Sequence, residues 1–95
     1  MAAYVIAEIE ITNPEGYKAY TAVVPATIEK YGGKFLVRGG SAEVLEGEWP
    51  NRRRVMLEFP SKEIALKWWN STDYAEPMKM RRGSSNGRLI LLEGV

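Results

Sequence analysis

The sequence predicts an α+β sandwich of order β-α-β-β-α-β, with one antiparallel sheet and its helices on a single face. Three observations carry that prediction. Four short segments alternate apolar and polar residues with the period of a strand. Two stretches between them repeat apolar residues every three or four positions and begin at Asn13 and Ser61, residue types that cap helices. The whole chain is 95 residues long, which suits one domain spanning 1–95.

Each element follows from its own pattern. In the first strand, Tyr4 to Ile11, Val5, Ala7, Ile9 and Ile11 share one face, and Tyr4, Ile6, Glu8 and Glu10 share the other. A helix follows, with Asn13 as N-cap, Pro14 at the first helical position and Glu15 in the first turn. Tyr17, Tyr20, Val24, Ile28 and Tyr31 form its apolar stripe, and Pro25 is expected to remove a backbone bond and kink it. Gly32-Gly33 ends the helix with a left-handed cap. In the second strand, Lys34 to Arg38, Phe35 and Val37 alternate with Leu36 and Arg38. Gly39-Gly40 breaks it, and Ala42 to Leu45 is expected to continue it briefly before a turn at Gly47 to Asn51. The third strand, Arg53 to Phe59, points Val55, Leu57 and Phe59 one way and Arg54, Met56 and Glu58 the other, until Pro60 stops it. Ser61 caps a second helix with Ile64, Ala65, Trp68 and Trp69 on one face, and Ser71-Thr72-Asp73 opens a further helical segment. Gly83 to Gly87 reads as a loop and Arg88 to Glu93 as the fourth strand.

This order is the ferredoxin-like arrangement, in which helices cover only one sheet face. Val5, Ala7, Ile9, Phe35, Val37, Val55, Leu57 and Phe59 are expected on the covered face. The other face would carry Tyr4, Ile6, Leu36, Met56, Ile90 and Leu92, too much apolar surface to leave in water at ~25 cal/mol per Å². A second copy of the chain is the economical cover, so a homodimer packed through its sheets is expected. The same face would carry Glu8, Arg38, Arg54, Glu58 and Arg88, which must pair, sit at a wet edge or line a cavity.

Composition removes whole classes of chemistry. The chain has no cysteine and no histidine, hence no disulfide, no thiolate nucleophile, no imidazole base and no ordinary zinc or haem ligand set. No metal or cofactor is therefore expected. A net charge of +1 gives no electrostatic reason to expect nucleic acid or an anionic membrane surface. No apolar run approaches the ~20 residues of a membrane span, and the cysteine-free composition fits a cytoplasmic protein. The Arg52-Arg53-Arg54 run reads as a solvated strand start, the tyrosine stripe as packing, and the glycine pairs as a cap and a bend, since neither phosphate-binding glycine pattern is present.

Across essentially its whole length the sequence resembles the small bacterial proteins of the domain-of-unknown-function 1330 family, within the dimeric α/β-barrel superfamily. The resemblance rests on Ala3-Tyr4-Val5-Ile6-Ala7, on Tyr17 and Tyr20, and on the run Gly32-Gly33-Lys34-Phe35-Leu36-Val37-Arg38-Gly39-Gly40. It continues through Glu46-Gly47-Glu48-Trp49, Leu57-Glu58-Phe59-Pro60-Ser61, Ser71-Thr72-Asp73-Tyr74, Arg81 and Leu92-Glu93-Gly94. It implies a ferredoxin-like monomer and a dimer closed through its sheets. It implies no single activity, because the superfamily includes cofactor-free monooxygenases, lactone isomerases, haem-binding enzymes and stress-related proteins. Arg38, Glu58, Tyr74 and Arg81 match family positions and are carried over as pocket candidates. Tyr31 stands where relatives often have histidine, so a mechanism that needs that imidazole does not transfer.

The functional expectation is a small anionic or aromatic molecule bound between sheet and helices. Arg38 and Arg81 would hold its negative group through forked hydrogen bonds. Tyr74, Tyr4 and Met56 would line the rest, and Glu58 is the candidate base. Cofactor-free oxygenation or isomerisation is the corresponding reaction class. The alternative is a non-enzymatic dimeric module that senses a ligand or serves a stress response.

Overall fold

The structure is a computed structural model that describes residues 1–95. Its elements are β1 (Ala3–Ile11), α1 (Pro14–Lys30), β2 (Lys34–Arg38), β3 (Arg53–Phe59), α2 (Lys62–Trp69), α3 (Thr72–Ser84) and β4 (Ser85–Glu93). The sheet has four strands in the order β2-β3-β1-β4, every neighbouring pair antiparallel. This is the ferredoxin-like α+β fold that the pattern predicts, with a second helical segment after α2. Within one chain the sheet is open, since β2 and β4 are free edges.

Local chemistry places the helix ends where the sequence puts them. Asn13, Ser61 and Ser71 are N-caps, their side-chain oxygens accepting from the backbone N–H of Gly16, Ile64 and Tyr74. At the end of α1, Gly33 N–H donates to Ile28 O and Gly32 N–H to Glu29 O, both at 2.9 Å, with Gly32 at φ 74°. That is the doubly bonded Schellman closure, and only a glycine takes the left-handed position without strain. Helix α1 runs on through Pro25, which leaves the Thr21 carbonyl without its intrahelical donor.

The core lies between the sheet and the helices. Val5, Ala7, Ile9, Leu57 and Phe59 meet Tyr20, Val24 and Ile28 of α1, Ala65 and Trp68 of α2, and Tyr74 of α3. Phe59 stacks on Trp68 at 5.2 Å between ring centroids, and Trp68 on Tyr74 at 4.2 Å. Gly33 is packed so tightly that a Cβ there would lie 2.6 Å from the Phe59 ring.

Three local expectations are corrected. Gly83 to Gly87 is not a loop: α3 continues to Ser84 and β4 starts at once at Ser85. The Ser84 and Ser85 hydroxyls donate to the Met80 and Arg81 carbonyls, and the Ser84 carbonyl accepts from Thr12 and Asn13 N–H, so side chains and the start of α1 close the helix where a loop would otherwise be needed. Gly87 then sits against Ile9, where a Cβ would come within 2.7 Å of Cδ1, and this close approach lets the strand begin early. Ala42 to Leu45 forms no strand and lies exposed in the long β2–β3 connection.

The third correction moves side chains across the sheet. Lys34 and Phe35 pair with Glu58 and Leu57, but Val37 pairs with Met56 and Arg38 with Val55, because a bulge falls between Phe35 and Val37. One extra residue reverses the alternation beyond it. Val37 therefore leaves the covered face and Arg38 joins it.

Candidate functional site

Between the sheet and α1 lies a narrow apolar cleft with a cavity volume of about 40 Å³. Strands β1 and β3 provide its floor through Val5, Ala7, Val55 and Leu57, and Tyr17, Tyr20 and Tyr74 provide its aromatic wall. It has room for water rather than for an aromatic ligand.

Three guanidinium groups reach this apolar space. Arg38, on the bulged end of β2, is exposed and lies over the Phe35 ring at 4.3 Å. Arg53, the first residue of β3, lies near the Tyr17 ring at 5.8 Å, and its Nε is buried with no hydrogen-bond partner. A Cβ at Gly39 would fall on the Arg53 guanidinium, so the glycine at φ 67° leaves the space this group occupies. Arg81, from the last turn of α3, is 4% exposed and stands 5.9 Å from the Trp69 ring. Its Nε–H donates to Tyr74 Oη at 3.2 Å, and Tyr74 Oη lies 3.0 Å from Tyr20 Oη. None of the three arginines has a carboxylate within salt-bridge distance. The cleft lining contains no acidic residue at all.

The opposite sheet face treats its charges differently. Glu8 lies 3.1 Å from Arg88 and 3.9 Å from Arg54, and Glu58 lies 3.3 Å from Lys34. Arg54 also donates to the Pro50 and Arg52 carbonyls. Ile90, Leu92, Leu36 and Val37 stay exposed there or at its bulged edge. No group of acidic side chains is gathered to hold a metal ion.

The residues singled out from sequence therefore divide between two places. Arg38, Arg81 and Tyr74 come together at the helix-side cleft. Tyr4, Met56 and Glu58 lie on the other side of the sheet, where Tyr4 pairs with Glu58 and Ile6 with Met56. Glu58 thus does not meet Arg38. Sequence reasoning missed Arg53, read as a solvated strand start, and Tyr20, read as packing. The signal for Arg53 was present: it shares the alternation of Val55, Leu57 and Phe59, all expected on the covered face.

Burial pushes the Tyr20 hydroxyl far above its ordinary range, with the neighbouring Tyr74 adding to the effect. Tyr20 is therefore a neutral hydrogen-bond donor at any physiological pH. On the outer surface, Lys30 donates to both oxygens of Asp73, at 3.0 and 3.2 Å, and Tyr31 Oη donates at 3.1 Å. These bonds, Lys30 first and Tyr31 second, hold the Asp73 carboxyl below its ordinary value. Tyr31 thus ends on a surface aspartate, and it does not line the cleft.

Residues 2–95 match the family model described as Domain of unknown function (DUF1330). The chain belongs to this family. No curated protein matches it. Among solved structures, it is similar to a protein of unknown function from Rhodopseudomonas palustris, with 21% identity over 99% of this chain and 82% of that one, TM-score 0.80. A dimeric ferredoxin-like protein of unknown function from Jannaschia sp. CCS1 matches with 11% identity over 99% of this chain and all of that one, TM-score 0.74. A mutant form of SnoaB, a cofactor-independent oxygenase from Streptomyces nogalater, matches with 11% identity over 98% of this chain and 92% of that one, TM-score 0.72. At these identities the likeness is one of fold. No helix of this DUF1330 chain is long and apolar enough to cross a membrane.

Proposed function

We propose that the helix-side cleft binds a small organic anion with a flat apolar body, in a chain that works as a cytoplasmic homodimer. One observation carries the ligand class: Arg38, Arg53 and Arg81 surround an apolar, aromatic-walled cleft without a single carboxylate to neutralise them. An arginine is charged at every accessible pH, and a buried one without an acid partner is costly unless an anion arrives. The body of the ligand would lie against the tyrosines, its anionic group on the guanidinium forks. Arg38, exposed at the mouth, would swing outward to open the closed cleft.

The dimer rests on the apolar open face and on the dimeric state of the Jannaschia protein. Tyr4 and Met56 would serve that interface, with Glu58 held by Lys34 at its edge. The cofactor-independent oxygenase among the fold neighbours keeps oxygenation or isomerisation in view as a reaction class. The cleft has donors but no carboxylate or imidazole to remove a proton, and this favours the second reading, a ligand-sensing module.

Thermal unfolding with benzoate and with neutral benzamide tests the anion reading. A ligand that binds only the native state stabilises it by ~2.7 kcal/mol at a hundredfold excess over its dissociation constant. Benzoate should stabilise and benzamide should not, and Arg53→Gln should weaken benzoate at least tenfold. Equal responses to the two compounds, or unchanged affinity in Arg53→Gln, would refute the assignment.

A further inference from the structure

The buried pair Tyr20 and Tyr74 does more than fill the core. Tyr74 is fully buried, and its Oη already accepts from Arg81 Nε–H. Its only other neighbour in hydrogen-bond reach is Tyr20 Oη. If Tyr20 donated to Tyr74, the Tyr74 proton would be buried without an acceptor, a cost that native interiors avoid. The chain therefore runs one way: Arg81 donates to Tyr74, and Tyr74 donates to Tyr20. That leaves the Tyr20 proton free; both tyrosines line the cleft, but Tyr74 is wholly buried and Tyr20 keeps 8% exposure, so Tyr20 is the one whose hydroxyl a ligand or water can reach. Each donor in such a chain is strengthened by the one behind it, and here the last member is a full positive charge.

We infer that Tyr20 Oη is the donor that receives the ligand's oxygen, and that the ligand class is a phenol or enol held as its oxyanion. This rests on the cleft being the ligand site, as proposed above. A carboxylate satisfies a guanidinium fork with two oxygens, whereas a phenolate or enolate has one oxygen on a flat conjugated body. Tyr20 offers one neutral O–H polarised from behind, which matches an anion with one oxygen, while the guanidinium groups of the cleft supply the balancing charge. Tyr20 stays protonated in this role because burial disfavours its own anion. The titratable groups facing the space are Tyr17, Tyr20, Tyr74, Arg38, Arg53 and Arg81, with no carboxylate among them.

The test uses para-nitrophenol, whose anion absorbs in the visible and so reports its own ionisation when bound. In the wild-type protein the anion should bind at least tenfold more tightly than the neutral phenol, seen as a bound pKa at least one unit below the free value. Tyr20→Phe should abolish most of that preference while benzoate, held by the arginines, loses less than threefold. Incorporation of fluorotyrosine at Tyr20, an isosteric and stronger donor, should increase the preference, and this holds the test open should Tyr20→Phe fail to fold. An anion preference unchanged in Tyr20→Phe, or unaffected by fluorotyrosine, overturns the inference alone. Failure of both benzoate and nitrophenolate to bind the wild type overturns the cleft reading itself.

Discussion

Replacing Tyr74 by Phe removes one oxygen and leaves the ring. The packing survives the change: the ring stays 4.2 Å from Trp68 and 5.8 Å from Trp69 between centroids. What is lost is polar. Arg81 Nε–H loses its hydrogen-bond acceptor, and a bond to a charged donor is worth about 1.5–3 kcal/mol. Tyr20 loses a buried partner at 3.0 Å, worth roughly 1 kcal/mol. Together the expected loss is about 2–4 kcal/mol, which at a urea slope near 2 kcal/mol per molar moves the midpoint down by about 1–2 M. The assay is urea unfolding followed by tryptophan fluorescence at fixed protein concentration, with the slope unchanged. A double-mutant cycle should show that Tyr74→Phe costs less in the Arg81→Met background than in the wild type, since a partner already gone cannot be lost again. A Tyr74→Phe loss below about 0.5 kcal/mol would refute the claim that this hydroxyl links Arg81 to Tyr20.

Three further outcomes are expected. Arg81→Met should leave stability equal or higher, because a buried charge with no acid partner gives way to an apolar side chain, while para-nitrophenolate binding falls at least tenfold; urea unfolding and absorbance titration read the two effects. Asp73, held below its ordinary 3.8, adds stability that is present above that value and lost as pH falls through its folded-state pKa; Asp73→Asn should flatten that part of the acid limb in a pH series of thermal unfolding, and the same limb in both proteins would count against the Lys30–Asp73–Tyr31 contact. Ile90→Glu, on the open face at 57% exposure, should turn the proposed dimer into a monomer by light scattering with little change in monomer fold, and a dimer that persists would place the interface elsewhere.

Much of the fold was legible in local chemistry, and the site was not. Asn13, Ser61, Ser71 and Gly32 announce helix ends because each solves a problem of unpaired backbone groups within a few residues. The strands are legible because alternation needs no partner to be seen. The bulge is different. Nothing in Lys34-Phe35-Leu36-Val37-Arg38 marks which residue is extra, since the bulge is defined only against the pairing strand β3. Missing it put Arg38 with Tyr4, Met56 and Glu58, and so assembled a candidate site from two faces of one sheet. Tyr74 and Arg81 stand two turns apart on one face of α3, but Tyr20 lies 54 positions from Tyr74, and only the packing of α1 on α3 brings those two together.

The two faces of the sheet hold their charges differently, and this separates the proposed interface from the proposed ligand site. On the open face Glu8 stands between Arg54 and Arg88, and Glu58 beside Lys34, so each of these acids has a base. Paired charges cost less to cover with a second sheet than unpaired ones, although their desolvation must still be offset by the apolar area buried beside them. In the cleft the balance is one-sided, with guanidinium groups and no acid. A sequence selected for stability alone would have placed a glutamate beside Arg81 or a methionine in its stead. The buried Arg81 guanidinium keeps its hydrogen bond to Tyr74 but has no acid beside it, and that imbalance is what the proposed anion would complete.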